Sequence, residues 1–233
     1  MDENIPKYFF QIWINNQNTI PEPLINNFNF IKNDNLDFEC QMFNNNDCIE
    51  FLKINYGEEI INAYNNLIPG AYKADLTRYC ILYTRGGIYL DAKMMPMNDF
   101  KLKNVIDKEY FVRDGNFEGR GRGVYNAFMI CKKNNPILLE VINNIVDHVK
   151  TKYYGETCLC PTGPFLLKKK FTEEQINNFD YELTNNGDSI FISKMTSNYD
   201  LGIIKVNKEL CKVQSLHSGK YYAELWNERK IYL

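Results

Sequence analysis

The sequence predicts an α/β fold, a mixed and mostly parallel sheet flanked by helices, and three observations carry that prediction. The chain opens with an aromatic and β-branched segment, a segment of helical period and a second alternating segment, which together read as a β-α-β beginning. A long helical pattern then ends in Gly86-Gly87 and is followed at once by the β-rich Ile88-Tyr89-Leu90, which delivers Asp91 at its end. The 233 residues hold no internal repeat and no linker rich in Gly, Pro or Ser, so one domain over 1–233 is expected.

Each element has its own signal. Tyr8 to Ile14 follows a proline and ends in the polar stretch Asn15 to Thr19, as a first buried strand and its loop would. From Pro21, Leu24, Ile25, Phe28 and Ile31 recur at helical spacing, and Asp37 to Phe43 alternates like a second strand. Asn46 or Asp47 can cap a helix carrying Ile49, Phe51, Leu52 and Ile54, which Gly57 closes or kinks, and Ile60, Ile61, Tyr64 and Leu67 mark another. Pro69-Gly70 breaks that pattern before a longer helix to Arg85, whose stripe is Leu76, Tyr79, Cys80, Leu82 and Tyr83. Later strands are expected at Tyr110 to Arg113, Ala127 to Cys131, Ile190 to Ile192 and Ile203 to Val206, with a helix opening at Pro136 and running through Val146.

Composition excludes several classes. Hydrophobic residues make up 45% and charged residues 24%, which is ordinary for a globular chain and unlike a disordered or fibrous one. A net charge of -2 lacks the basic field that a nucleic-acid binder needs, so no nucleic-acid partner is expected. The seven cysteines are scattered, with Cys48 and Cys80 inside apolar helical patterns, so they read as reduced, buried thiols. Cys158 and Cys160 lack a second pair at zinc spacing. With no basic-then-apolar start and no run of about 18 apolar residues, neither an export signal nor a membrane span is expected, and the cytoplasm is the expected location.

The chemistry concentrates in Ala74-Asp75-Leu76-Thr77-Arg78-Tyr79 and its continuation through Arg85 to Lys93. Asp75 and Arg78, three residues apart, project from one helix face, and Asp91 falls just beyond the carboxyl end of a strand, where open α/β sheets bind ligands. Two readings of Asp75 and Arg78 stand: members of a pocket with Asp91, or a surface ion pair worth about 0.3 kcal/mol.

This block resembles the sugar-binding DXD region of family 32 glycosyltransferases, which include capsular polysaccharide synthesis proteins and initiating fungal mannosyltransferases. It is also similar to the catalytic core of the large clostridial glucosylating toxins. The resemblance extends through Ile5-Pro6-Lys7, Gln11-Ile12-Trp13, Asn126, Asn135-Pro136, Thr162-Gly163-Pro164 and a tail with His217 and Trp226. It implies a GT-A-type, Rossmann-like nucleotide-sugar-binding fold, and hexosyl transfer, with retention, from a UDP- or GDP-sugar to a glycan or protein acceptor. It further implies that Trp13 stacks on the nucleotide base, that Asp75 and Arg78 hold the transferred sugar, and that Asn126 touches it. Asp91 becomes the first carboxylate of the motif, facing ribose and a metal-bound diphosphate. Trp13 also reads as a core aromatic, and Asn126 as a turn residue.

The motif departs from the family pattern at its second acidic position, which is Lys93. A hard cation such as Mn²⁺ or Mg²⁺ seeks oxygen ligands, and an ammonium offers none. Three outcomes follow: Lys93 takes over part of the metal's charge at the diphosphate, the metal persists on Asp91 with His217 as a further ligand, or Lys93 points to solvent. His217-Ser218-Gly219-Lys220 is loosely similar to a His-x-x-Gly tail that completes such sites. The departure also motivates a different class of function, a catalytically impaired homologue that binds a nucleotide sugar or glycan, and beyond it a plain nucleotide-binding regulator. Gly119 to Gly123 matches no phosphate-binding fingerprint and reads as a surface loop. Thr162-Gly163-Pro164 reads either as a turn or as a helix N-terminus aimed at the acceptor side.

Overall fold

The computed structural model describes residues 4–116, 122–185, 190–195, 201–217 and 220–233, the side chains of Asn116, Arg122, Leu201 and His217 excepted. In chain order these form β1 (Tyr8–Ile12), α1 (Glu22–Asn33), β2 (Glu39–Phe43), α2 (Asn45–Asn55), α3 (Glu58–Asn66), α4 (Gly70–Arg85), β3 (Gly87–Leu90) and β4 (Met94–Pro96). A 3-10 turn at Leu102–Val105 leads to β5 (Tyr110–Asn116), β6 (Arg122–Cys131), α5 (Pro136–Lys150), α6 (Pro164–Lys168), α7 (Glu173–Asn177), β7 (Tyr181–Asn185), β8 (Ile190–Lys194), β9 (Leu201–Val206), α8 (Lys208–His217) and α9 (Tyr222–Asn227).

Among the described residues one nine-stranded sheet runs in the order β2-β1-β3-β6-β5-β7-β8-β9-β4. It is mixed, as the sequence predicts, but not mostly parallel. Parallel pairing is confined to β1 with β2, β1 with β3 and β5 with β7. The β3-β6, β5-β6, β7-β8, β8-β9 and β4-β9 pairs are antiparallel. For β5 to β6, β7 to β8 and β8 to β9 the physical reason is connection length: only a few residues separate these strands in the chain, and a parallel partner needs a crossover of a dozen or more.

Alternation along the strands feeds two cores. Tyr8, Phe10, Ile12, Tyr89, Val124, Met129 and Cys131 face the helical layer of α2 to α5, whereas Phe9, Ile88, Leu90, Val112, Phe128 and Ile130 face α1 and the 3-10 turn. Ile88 and Leu90 are fully buried on the second face, and each such side chain stabilises the fold by about 1.5–3 kcal/mol. The cap of α2 is Asn44, not Asn46 or Asp47, because Asp47 instead returns the reciprocal bond to the Asn44 amide in a capping box. α5 starts at Pro136 as expected, with Asn135 accepting from the Ile137 and Leu138 amides.

α4 carries more than the single apolar stripe its spacing predicts. Asp75, Thr77, Arg78 and Ile81 are buried along with Leu76, Tyr79, Cys80 and Leu82, because the helix lies between the sheet, α2 and α5. Its end is fixed by Gly86 and Gly87, whose φ angles of +69° and +102° only glycine adopts readily. At Gly87 a Cβ would stand 2.3 Å from the Tyr8 carbonyl oxygen, so the backbone of β3 presses against β1 where no side chain fits.

Candidate functional site

At the carboxyl end of β3, Arg78 joins the buried carboxylate of Asp75 to the half-buried carboxylate of Asp91. Its Nη2 lies 3.2 Å from Asp75 Oδ1 and its Nη1 3.2 Å from Asp91 Oδ1. Nη1 also donates to the Asn126 carbonyl at 2.8 Å, and the guanidinium carbon sits 4.4 Å above the Tyr89 ring. The surface ion-pair reading of Asp75 and Arg78 is therefore corrected: both are buried, because α4 turns this face toward β3 and β6 rather than toward water.

The remaining contacts lock the carboxylates in place. Asn126 Nδ2 donates to Asp75 Oδ1 at 2.9 Å and to the Tyr79 hydroxyl at 2.8 Å. Thr162 Oγ1 donates to Asp75 Oδ2 at 2.6 Å, and the Tyr79 hydroxyl donates to the Thr162 carbonyl at 3.2 Å. Tyr89 donates to Asp91 Oδ1 at 2.6 Å, while Lys93 Nζ lies 3.3 Å from Asp91 Oδ2. The Asp91 backbone is held as well, its amide donating to the Ala127 carbonyl at 2.8 Å and its carbonyl accepting from Gln11 Nε2 at 3.3 Å.

The two carboxylates are pushed in opposite directions. Burial raises the Asp75 pKa, and the Arg78 charge with the Thr162 and Asn126 hydrogen bonds does not fully offset it. At Asp91 burial also raises the pKa, but Arg78 and Lys93 together outweigh it and hold the group below the ordinary carboxylate range. Asp91 is thus the firmly ionised member of the pair.

The structure brings together Asp75, Arg78, Asp91, Lys93 and Asn126. Trp13 stands apart from this polar network: it is buried just past β1 against Leu24, Ala92 and Leu210, and its indole N–H has no partner among the described residues. Gln11 Oε1 is in the same condition. His217 ends α8, and its side chain lies outside the described residues, as do Ser218 and Gly219. Of the Gly119 to Gly123 run, 119–121 lie outside them too, whereas Gly123 is a buried strand residue of β6. Tyr89 and Tyr79 were missed as site residues. Tyr89 was legible, since two positions before Asp91 on a strand it shares that residue's face.

A resident divalent cation finds a poor donor set here. Both Asp91 oxygens already face cations, position 93 offers an ammonium in place of an oxygen, and no three His, Cys, Asp or Glu side chains cluster to hold a metal among the described residues. The described residues therefore do not fit the metal that the resemblance implies.

The family described as the glycosyltransferase sugar-binding region containing a DXD motif matches residues 21–112. The chain is 35% identical over 174 residues to the uncharacterised glycosyltransferase L373 of Acanthamoeba polyphaga mimivirus, covering 75% of this chain and 67% of that protein. It is 27% identical over 164 residues to inositol phosphoceramide mannosyltransferase 3 of Schizosaccharomyces pombe, covering 70% of this chain but 44% of the relative. Among solved structures, PaToxG glycosyltransferase superposes with a TM-score of 0.56 at 16% identity, over 76% of this chain and 74% of that one. The GT-A-type fold is thereby the fold found. No helix among the described residues is long and apolar enough to cross a membrane.

Proposed function

This chain belongs to the glycosyltransferases whose sugar-binding region contains a DXD motif, and on that premise we propose that it moves a hexose from a UDP- or GDP-sugar to a glycan or protein acceptor. The observation that carries this reading is the convergence of Asp75, Arg78, Asp91 and Asn126 at the carboxyl edge of the sheet, from a helix and two strands far apart in sequence. Asp75, Arg78 and Asn126 orient the sugar so that its anomeric carbon faces the acceptor, a positioning contribution. Asp91, ionised and held by Tyr89, accepts hydrogen bonds from donor hydroxyls. Retention of configuration, implied by the resemblance, belongs to the same reading and is read from the anomeric coupling of the product.

The leaving diphosphate needs positive charge, and Lys93 supplies it. The Lys93 side chain is 27% exposed while that of Arg78 is 7% exposed, so Lys93 is the cation free to swing from Asp91 onto phosphate oxygens as charge develops there. Arg78 stays behind to balance both carboxylates. In this reading transfer does not rest on a resident metal. Stacking of the nucleotide base on Trp13 belongs to the same reading, and a metal-ligand role for His217 does not. Stacking requires α8, whose Leu210 packs on the indole, to yield. Buried thiols such as Cys48 and Cys80 suit a reducing compartment, which supports the cytoplasm.

Incubation with a panel of UDP- and GDP-sugars, with Mn²⁺ or EDTA, tests the reading through nucleotide release. Sugar-dependent release that survives EDTA is the expected result. Binding without release would point to the non-transferring homologue, and affinity for free nucleotide alone to a regulator.

A further inference from the structure

The segment from Thr157 to Gly163 lies between α5 and α6 in the chain and is pinned to the site through its own backbone. The Cys158 carbonyl accepts from the Tyr72 hydroxyl at 2.5 Å, the Pro161 carbonyl from His148 Nδ1 at 2.8 Å, and the Thr162 carbonyl from the Tyr79 hydroxyl at 3.2 Å. Tyr72 and Tyr79 belong to α4 and His148 to α5, so two helices fix three carbonyls of one loop. Within the loop the Thr157 hydroxyl accepts from the Leu159 amide and the Thr157 carbonyl from the Cys160 amide, which closes a tight turn. Buried backbone polar groups need partners, and most of these come from the helix that also carries Asp75.

Asp75 is held against this loop. Thr162, 1% exposed, donates to Asp75 Oδ2 at 2.6 Å. A circuit closes through Tyr79 and Asn126, since Asn126 Nδ2 reaches both the Tyr79 hydroxyl and Asp75 Oδ1. Bonds to the two carboxylate oxygens from different parts of the chain fix the plane of the group, and Thr162 sets the direction of Oδ2.

The next residue leaves a gap beside that oxygen. A Cβ on Gly163 would stand 3.5 Å from Asp75 Oδ2 and 3.2 Å from the Leu159 carbonyl oxygen, and apart from its chain neighbours nothing comes nearer. A volume the size of a methyl group is thus open against Oδ2. The Asp75 side chain keeps 11% exposure, so the carboxylate is reachable by a ligand. A carboxylate oxygen carries two lone pairs, and Thr162 takes one of those on Oδ2. A hydroxyl is close to a methyl in size and can donate to the second.

Resting on the glycosyltransferase reading, we propose that Thr162 and Gly163 determine which donor sugar is accepted. Thr162 is a positioning residue that aims Asp75 Oδ2, and Gly163 leaves the room in which one hydroxyl of the transferred hexose donates to that oxygen. A site built to pair with a hydroxyl rejects the sugar that lacks it, because the buried acceptor is then left unpaired. An epimer that turns the same hydroxyl away from Oδ2 is rejected for the same reason.

The test takes the UDP- or GDP-sugar that the wild-type protein turns over, with its monodeoxy analogues, each lacking one hydroxyl of the hexose, and measures kcat/KM for nucleotide release. For wild type, loss of the hydroxyl held by Asp75 should lower kcat/KM by about 10- to 100-fold, as expected for a hydrogen bond to a charged group. Gly163→Ala should slow the parent donor by a similar factor, because the methyl takes the place of the hydroxyl, yet stay within about twofold of wild type with that one analogue. Thr162→Val should narrow the ratio of parent to analogue by at least about fivefold, and Thr162→Ser, which keeps a hydroxyl, should recover the discrimination. The ratio of two donors on one preparation does not depend on the folded fraction, so a folding defect cannot produce this pattern. Equal losses with the parent and every analogue, or no loss with any, overturn the assignment of Thr162 and Gly163 alone. Absence of release from every UDP- and GDP-sugar by the wild-type protein overturns the glycosyltransferase reading beneath it.

Discussion

The Arg78 guanidinium lies 3.2 Å from Asp91 although the end of α4, two glycines and the whole of β3 separate them in the chain. A cation buried at 7% side-chain exposure and shared between two carboxylates fixes the charge state of the site before any ligand arrives. It is the point at which sugar-facing and diphosphate-facing residues meet.

Asp91→Asn keeps an acceptor for Tyr89 but removes the charge. Turnover should fall at least about tenfold, a loss of more than about 1.4 kcal/mol of transition-state stabilisation, measured as kcat/KM for nucleotide release. The same variant tests the ionisation. The folded pKa of Asp91 is depressed, so its stabilisation is present above the unfolded value of about 3.9 and is lost as pH falls through the folded value. Wild type should therefore be the more stable protein above about pH 4, and the two thermal midpoints should draw together toward pH 3.

Asp75→Asn should damage discrimination among donor sugars more than affinity for free nucleoside diphosphate. Thr162 Oγ1 and Arg78 bind Asp75 directly, and an amide returns one oxygen acceptor to them while misplacing the sugar-facing charge. Competition binding with nucleotide sugars and free nucleotide separates the two losses; equal losses would return Asp75 to a purely structural role.

Lys93→Ala should slow release by about tenfold or more, and Lys93→Asp should make activity depend on added Mn²⁺, because a carboxylate restores an oxygen ligand beside Asp91. Rates across a Mn²⁺ titration decide it. Flat, wild-type-like curves for both variants would remove Lys93 from the diphosphate.

Gly87→Ala should cost at least about 2 kcal/mol in urea unfolding, since the new Cβ meets the Tyr8 carbonyl at 2.3 Å and φ is +102°. Donor turnover should fall with it, because β3 delivers Asp91 at its carboxyl end. A neutral result would mean that β3 can drop away from β1 without consequence.

The local half of this site was legible in the sequence. A helix with Asp75 and Arg78 one turn apart, a glycine stop and a short strand ending in Asp91 are each encoded within a few residues, and the structure builds them as read. Asn126 and Thr162 were legible only as types at suggestive positions, since their bonds to Asp75 span 51 and 87 residues. The direction of β5 to β9 was not legible, because pairing is decided by how the connections turn. The register shift between Arg113 and Asn116 in β5 went unread although Gly115 marks it, since a glycine within a strand is a common sign of a bulge. Trp13 shows a further limit: its burial under α8 depends on Leu210, from a helix with no clear mark in the sequence.

β4, which follows Lys93 directly, has β9 as its one partner among the described residues, and the Lys93 carbonyl is held by the Asn207 amide at 2.9 Å. The nearby contact of Asn207 with Met95 spans 112 residues. During synthesis the segment bearing Lys93 emerges early and waits for β9, while α4 and β3, adjacent in sequence, can pack at once. Loop closure over that distance is slow relative to local helix formation. A nascent or partly folded chain will thus hold its Asp75–Arg78–Asp91 cluster before Lys93 is fixed. Competence for transfer should then lag behind secondary structure in refolding, arriving with the docking of the β8-β9 hairpin.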